Sequence, residues 1–223
     1  MTVSIDEHTK ADKGGPLSAI LKEATAQAHE TAENSGFMER LLSGQIPVEG
    51  VSQFTGQLWF IYDALERTVS SLAGTSILES IADERLERRG ALEADLQHLI
   101  GEQWRDELRI LPATAAYVAR LEELNEKGQE HRVLAHHYVR YLGDISGGQV
   151  IAARLNVQYD IDPQGLNFYD FSELGKIPPY RAAYRDNLDK IQLTDGQRQE
   201  LVEEARQAFA FNTEVFRELG SKF

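Results

Sequence analysis

His136-His137-Tyr138-Val139-Arg140-Tyr141-Leu142-Gly143-Asp144-Ile145-Ser146-Gly147-Gly148-Gln149-Val150-Ile151 sets three glycines inside a stretch whose flanks read as helix. Each glycine costs about 1 kcal/mol against alanine in a helix interior, so an unbroken helix here carries a penalty near ~3 kcal/mol. Three readings account for it. A turn could split the segment in two. Gly143 and Gly147, four residues apart, could let a neighbouring helix approach closely. Or backbone must come near a flat ligand that a Cβ would block, with the glycines also loosening the helix so that it can kink around that ligand. Spacing alone does not choose among them.

Outward from this segment the same helical periodicity recurs. Leu17, Ile20, Leu21, Ala24 and Ala28 predict a first helix over 17–34, stopped by Asn34-Ser35-Gly36. A short helix follows over Phe37–Leu42, then a long one over 47–72 with Pro47 near its start and Gly74 near its end. Residues 83–100 read as a charged, exposed helix, Pro112 opens another to Lys127, and 130–157 is long and helical. The pattern breaks over 160–178, a loop anchored by Phe168, Tyr169 and Phe171, and two last helices cover 179–191 and 195–219. No window alternates with period two, so no sheet is expected. The expected fold is an all-α, single-domain bundle of about eight helices over 16–223, preceded by a fraying tail over 1–15.

Composition narrows the function. At 223 residues and 42% hydrophobic content the chain can bury roughly 70% of its unfolded surface. It has no cysteine, which removes disulfides, thiolate nucleophiles, iron–sulfur clusters and Cys-ligated heme. A formal charge of −13 argues against nucleic-acid and membrane-surface partners, which need a basic face. The segment from Met1 to Gly15 has no apolar run of a signal peptide. No stretch has the length of a membrane span. The simplest expectation is a soluble, cytoplasmic protein.

Among candidate ligands, His29 stands in Thr25-Ala26-Gln27-Ala28-His29-Glu30-Thr31-Ala32-Glu33. Glu33, four residues on, shares its helix face and could accept from the outer ring nitrogen of a metal-bound imidazole. A surface histidine beside a carboxylate has the same spacing. His136 and His137, about 100° apart around a helix, are badly placed to share an ion. There is no His-Glu-x-x-His, and the nearest approach to a di-iron pattern is a single Asp95-x-x-His98. His98 and His131 read as solvated.

The His29 segment taken with Tyr138-Val139-Arg140-Tyr141-Leu142-Gly143-Asp144-x-Ser146-Gly147-Gly148-Gln149 resembles the heme oxygenases, particularly the actinobacterial ones. The likeness extends over nearly the whole chain after the tail, through Trp59-Phe60-x-Tyr62-x-Ala64-Leu65-Glu66 and Ala208-Phe209-x-Phe211-Asn212-x-x-Val215-Phe216. It implies that heme is sandwiched between a proximal helix and a kinked, glycine-rich distal helix. By that match His29 is the iron ligand and Glu33 its hydrogen-bond partner. Gly143 and Gly147 are the distal backbone over the macrocycle, Gly148 adds flexibility, and Phe209 lines the heme site. Asp144 belongs to a water network near bound oxygen, supported by Arg140, Tyr62 and Asn212, with Arg140 and Asp144 close enough at i,i+4 for a mutual contact. Lys22, Tyr138 and Arg185 fall on propionate-binding positions. Arg181 stands where the family often has lysine, and keeps the charge with a bidentate fork.

The activity implied is oxidative cleavage of heme at the α-meso carbon to biliverdin, carbon monoxide and ferrous iron. Heme is then both cofactor and substrate. Molecular oxygen is the co-substrate, and electrons come from an external ferredoxin or NAD(P)H-dependent reductase. The likeness also implies a monomer serving iron acquisition. A heme carrier or sensor would need the histidine but not the Gly-Asp-x-Ser-Gly-Gly segment.

Overall fold

The structure, a computed structural model, describes residues 15–74 and 76–223, without the side chains of Glu33 and Ser76. Of the expected tail, all but Gly15 lies outside the described residues. Ten α-helices run in order: α1 Leu17–Glu33, α2 Gly36–Leu42, α3 Val48–Ser71, α4 Ser76–Glu79, α5 Arg89–Ile100, α6 Trp104–Glu107, α7 Pro112–Glu126, α8 Glu130–Tyr159, α9 Ile177–Lys190 and α10 Asp195–Lys222. No strand occurs among the described residues. The expectation of about eight helices falls short by α4 and α6, each a single turn and too short to show a period. No helix among the described residues is long and apolar enough to cross a membrane.

Local chemistry explains where the long helices begin and end. Thr194 and Gln197 form a reciprocal capping box at the start of α10, with Gln197 N donating to Thr194 Oγ1 and Thr194 N to Gln197 Oε1. Pro112 occupies the first turn of α7, where its missing N–H leaves nothing unsatisfied. Asp160 closes α8 in the left-handed region at φ 56°, which a short polar side chain tolerates. Two corrections concern 83–100. Asp83 caps a separate 3-10 turn over Glu84–Leu86 before α5 begins at Arg89. And α5 is not simply exposed: Leu92, Asp95 and Leu96 face the core.

The bundle centres on α8, with α10 laid against α8, α1 and α7, and α3 against α5 and α7. Gly56 on α3 lets the link after α6 pack closely, because a Cβ there would fall 2.1 Å from Leu108 Cδ1. The 160–178 segment is held as expected by buried Phe168, Tyr169 and Phe171. Its anchor is Asp95 on α5, whose carboxylate accepts from the backbone N–H groups of Asn167 (2.7 Å) and Phe168 (2.8 Å). That loop carries Tyr169 under α8, beside Gly148.

A buried polar knot ties α7, α8 and α10 together. Glu204, 1% exposed, accepts from Arg120 (2.6 and 2.9 Å) and Arg132 (3.0 Å) and pairs with His136 Nε2 (3.0 Å). These cations hold the Glu204 carboxyl well below the usual carboxylate range despite its burial. His131 joins the edge of this knot through Glu200 at 2.6 Å, so it is partly buried and paired rather than solvated. His98 is exposed, as expected, with one ring edge lying against Gly165 and Nε2 3.5 Å from Asp162.

Candidate functional site

Helix α8 runs without interruption through Gly143, Gly147 and Gly148, so the splitting turn is absent. The two remaining readings separate by residue. A Cβ on Gly148 would lie 3.2 Å from Tyr169 Cδ1, so this glycine serves close packing against the 160–178 loop rather than flexibility alone. A Cβ on Gly143 or Gly147 would meet no protein atom within 4 Å. Helix packing therefore gives no reason for glycine at either position, and neither has the positive φ that would require one. Both present bare backbone to open space.

One turn before and within this bare stretch, α8 contributes the polar part of the site. Arg140, 7% exposed, donates from Nη1 to Asn212 Oδ1 on α10 (2.8 Å) and from Nε to Tyr62 Oη on α3 (3.2 Å). The Tyr62 hydroxyl in turn donates to Asp144 Oδ2. The guanidinium also lies over the Tyr62 ring, 4.9 Å from its centroid. Asn212, Arg140, Tyr62 and Asp144 thus form one connected network in which Arg140 donates both ways, and the four residues expected to act together are brought together. The expected direct contact between Arg140 and Asp144 does not form. Tyr62, fully buried and reaching across from α3, places its phenol oxygen between them.

The electrostatics follow from this insertion. Asp144 is half-buried as a residue, but its carboxyl is enclosed, and desolvation with no adjacent cation pushes it well above the usual carboxylate range. Burial pulls the Arg140 guanidinium down from its ordinary value. A carboxyl so raised keeps its proton more readily than an exposed one, which suits it to handling protons.

His29 is exposed on α1, and its ring meets the buried Phe209 of α10 edge-on, with centroids 5.7 Å apart at 71°. Arg206 Nε donates to Ala24 O at 3.2 Å and keeps α10 against α1 at this level. The Glu33 side chain expected to accept from His29 lies outside the described residues. Lys22 is exposed on α1, two turns before His29. Tyr138 is buried on α8, and desolvation raises its phenol while the nearby Arg185 opposes that rise. Arg181 is half-buried on α9, and its Nε is buried with no hydrogen-bond partner.

A buried guanidinium nitrogen without an acceptor is costly. Together with Arg185 and the bare faces of Gly143 and Gly147, it fits a flat group that carries anionic substituents at one edge.

Two buried pairs near the site escape sequence reasoning: Tyr141, whose hydroxyl bonds Glu66 at 3.1 Å, and His137, whose Nδ1 bonds Tyr184 Oη at 2.8 Å. Adjacent histidines read only as a poor metal pair, and nothing in the local pattern marks which faces inward.

Comparison with known proteins places these features in a family. The family model described as heme oxygenase matches residues 15–218. Heme oxygenase 1 of Gallus gallus is 34% identical over 215 residues, covering 95% of this chain and 72% of the relative. The heme oxygenase of Rhodella violacea is 34% identical over 208 residues, covering 93% of this chain and 88% of the relative. Among solved structures, heme oxygenase-1 of the cyanobacterium Synechocystis sp. PCC6803 in complex with heme superimposes with a TM-score of 0.89 at 32% identity, covering 93% of this chain and 94% of that one.

Proposed function

The chain belongs to the heme oxygenase family, and from that premise we infer that it cleaves heme to biliverdin, carbon monoxide and ferrous iron, using oxygen and electrons from a reductase. The observation that carries the assignment to particular residues is the pairing of two glycines that face open space with a hydrogen-bond network that ends on Asp144, the residue after Gly143. Bound heme supplies the iron that activates oxygen and the porphyrin edge that is oxidised.

The protein's own groups have separable tasks. His29 supplies the imidazole that ligates iron from the α1 side, steadied by Phe209. Gly143 and Gly147 would let the macrocycle lie directly on α8, with no Cβ in its way. Arg181, Arg185, Lys22 and Tyr138 take the propionates, with Arg181 providing a buried donor in need of an acceptor. Asp144 would be the proton-handling group beside the heme, while Tyr62, and through it Arg140 and Asn212, fix the carboxyl's orientation. By the family likeness, Glu33 would be the partner that orients the His29 ring.

On this reading residues 16–223 are one catalytic domain after a tail over 1–15, acting as a cytoplasmic monomer. A ferredoxin or NAD(P)H-dependent reductase supplies the electrons, and the released iron is the product the cell uses. Hemin titration followed by a reductant under air tests it. A Soret band that forms at one equivalent and then bleaches to a verdin spectrum with release of carbon monoxide is expected. A stable Soret band under reductant would make the protein a carrier, and no band at all would remove the heme site.

A further inference from the structure

Tyr184 stands on α9 between Arg181 and Arg185 and turns its hydroxyl away from solvent toward α8. There it meets Nδ1 of His137 at 2.8 Å, and the two rings stack at 5.8 Å with 8° between their planes. Both residues are buried. His137 immediately precedes Tyr138 and is packed on its other side by Tyr141, with centroids 4.5 Å apart. Among the described residues this is the one hydrogen bond from α8 to α9. The ends of α9 are held elsewhere. Tyr180 donates to Asp83 at 2.9 Å, and Asp189 accepts from Ser18 N (2.7 Å) and Ser18 Oγ (2.9 Å) on α1. Among the described residues the His137–Tyr184 bond is thus the one polar tie between the middle of α9, where both arginines lie, and the helix that carries Gly143 and Gly147.

The chemistry of the pair suits a fixed strut. Burial pushes the His137 imidazole down to about 3 and raises the Tyr184 phenol, so the histidine is neutral and the tyrosine protonated across the physiological range. Either neutral tautomer of His137 keeps the bond, with the phenol donating to a bare Nδ1 or accepting from a protonated one. A leucine and a phenylalanine would fill the same space without demanding this register. A flat macrocycle on bare backbone can turn about the axis through its iron, because glycine provides no lateral stop. Its carboxylates, off centre at one edge, are what resist that turn.

We propose that His137 and Tyr184 form a positioning pair that fixes the in-plane orientation of the macrocycle, and with it the choice of meso carbon, by setting where α9 holds Arg181 and Arg185 over α8. This rests on the reading that those two arginines take the propionates. The four meso carbons are a quarter turn apart, so loss of the strut is expected to yield a mixture of products rather than a clean switch.

Tyr184→Phe removes one oxygen and keeps the stacked ring, and His137→Phe removes the ring nitrogen while filling its space. Each is loaded with hemin, turned over with reductant under air, and its biliverdin isomers are separated by chromatography. The ratio of minor to major isomer is expected to rise roughly tenfold over the parent, the scale one buried hydrogen bond supports. The double variant should shift no further than either single one, since both remove the same bond. A purely structural role would lower yield for all isomers and leave the ratio alone. An unchanged ratio in the variants that fold overturns the proposal. Arg181→Leu/Arg185→Leu tests the underlying reading separately: hemin affinity and isomer ratio both unchanged there would remove the propionate contacts and the proposal with them.

Discussion

Gly147→Ala adds one methyl group to α8 at a point where the protein itself offers no obstacle. The backbone is ordinary helix, and the new Cβ would meet no atom within 4 Å. Helix propensity then acts alone, and alanine is better than glycine by about 1 kcal/mol. For 223 residues, an unfolding entropy of about 2.1 cal/mol/K per residue sums to ~0.47 kcal/mol/K, so the heme-free variant should melt about 2 °C higher than the parent. Hemin reverses the order. At a hundredfold excess over Kd a ligand stabilises its binding-competent state by about 2.7 kcal/mol, or about 6 °C by the same conversion. The added methyl lies where the macrocycle is to rest, so the variant should lose most of that increment together with its verdin yield. Circular-dichroism melts with and without hemin, alongside a Soret titration, measure both halves. Gly148→Ala is the control, since its Cβ would press Tyr169 at 3.2 Å and the propensity gain should be offset. Destabilisation of the heme-free Gly147→Ala protein would refute the packing half of the reasoning. Parental hemin binding and turnover in a stabilised variant would refute the functional half.

Asp144→Ala should consume heme with little biliverdin formed, because the enclosed carboxyl that handles protons is gone; a parental biliverdin yield with reductase or ascorbate would contradict its role. Glu204→Leu leaves Arg120 and Arg132 without their shared buried carboxylate and should cost about 3–5 kcal/mol in urea unfolding; a loss near zero would show that the knot is not a net support. His137 gives a pH test of its burial. Its folded value is about 3 against about 6.5 when unfolded, so its contribution is complete above pH 6.5. As pH falls the unfolded chain takes a proton that the folded state refuses, and at pH 5 stability should be lower by about 2 kcal/mol, 1.5 units at ~1.4 kcal/mol each. His137→Phe should lose that part of the slope between pH 7 and 5 in urea titrations, and an identical slope would contradict it.

The elements that sequence reading located are those whose signal is local. Leu17, Leu21 and Ala32 fall on one face of α1, and Pro112 and Gly101 punctuate their helices, so boundaries landed within a few residues. Helices α4 and α6 carry one turn each and therefore no periodicity. The site was legible as residue types in a spacing, and Arg140, Tyr62, Asp144 and Asn212 do share one network. Its wiring was not, because i,i+4 spacing on α8 places Arg140 and Asp144 near each other but says nothing about a tyrosine arriving from α3. The three glycines looked alike in sequence, and only their neighbours distinguish Gly148, packed on Tyr169, from Gly143 and Gly147. The inward turn of His137 depends in the same way on Tyr184 from another helix.

Replacing His29 tests the central arrangement most directly. In the hemin-loaded parent, resonance Raman of the ferrous state should show an iron–imidazole stretch. His29→Ala should still take up hemin but lack that band and all verdin formation, and both should return when free imidazole is added. An unchanged band and unchanged turnover in His29→Ala would place another residue on the iron and contradict the account.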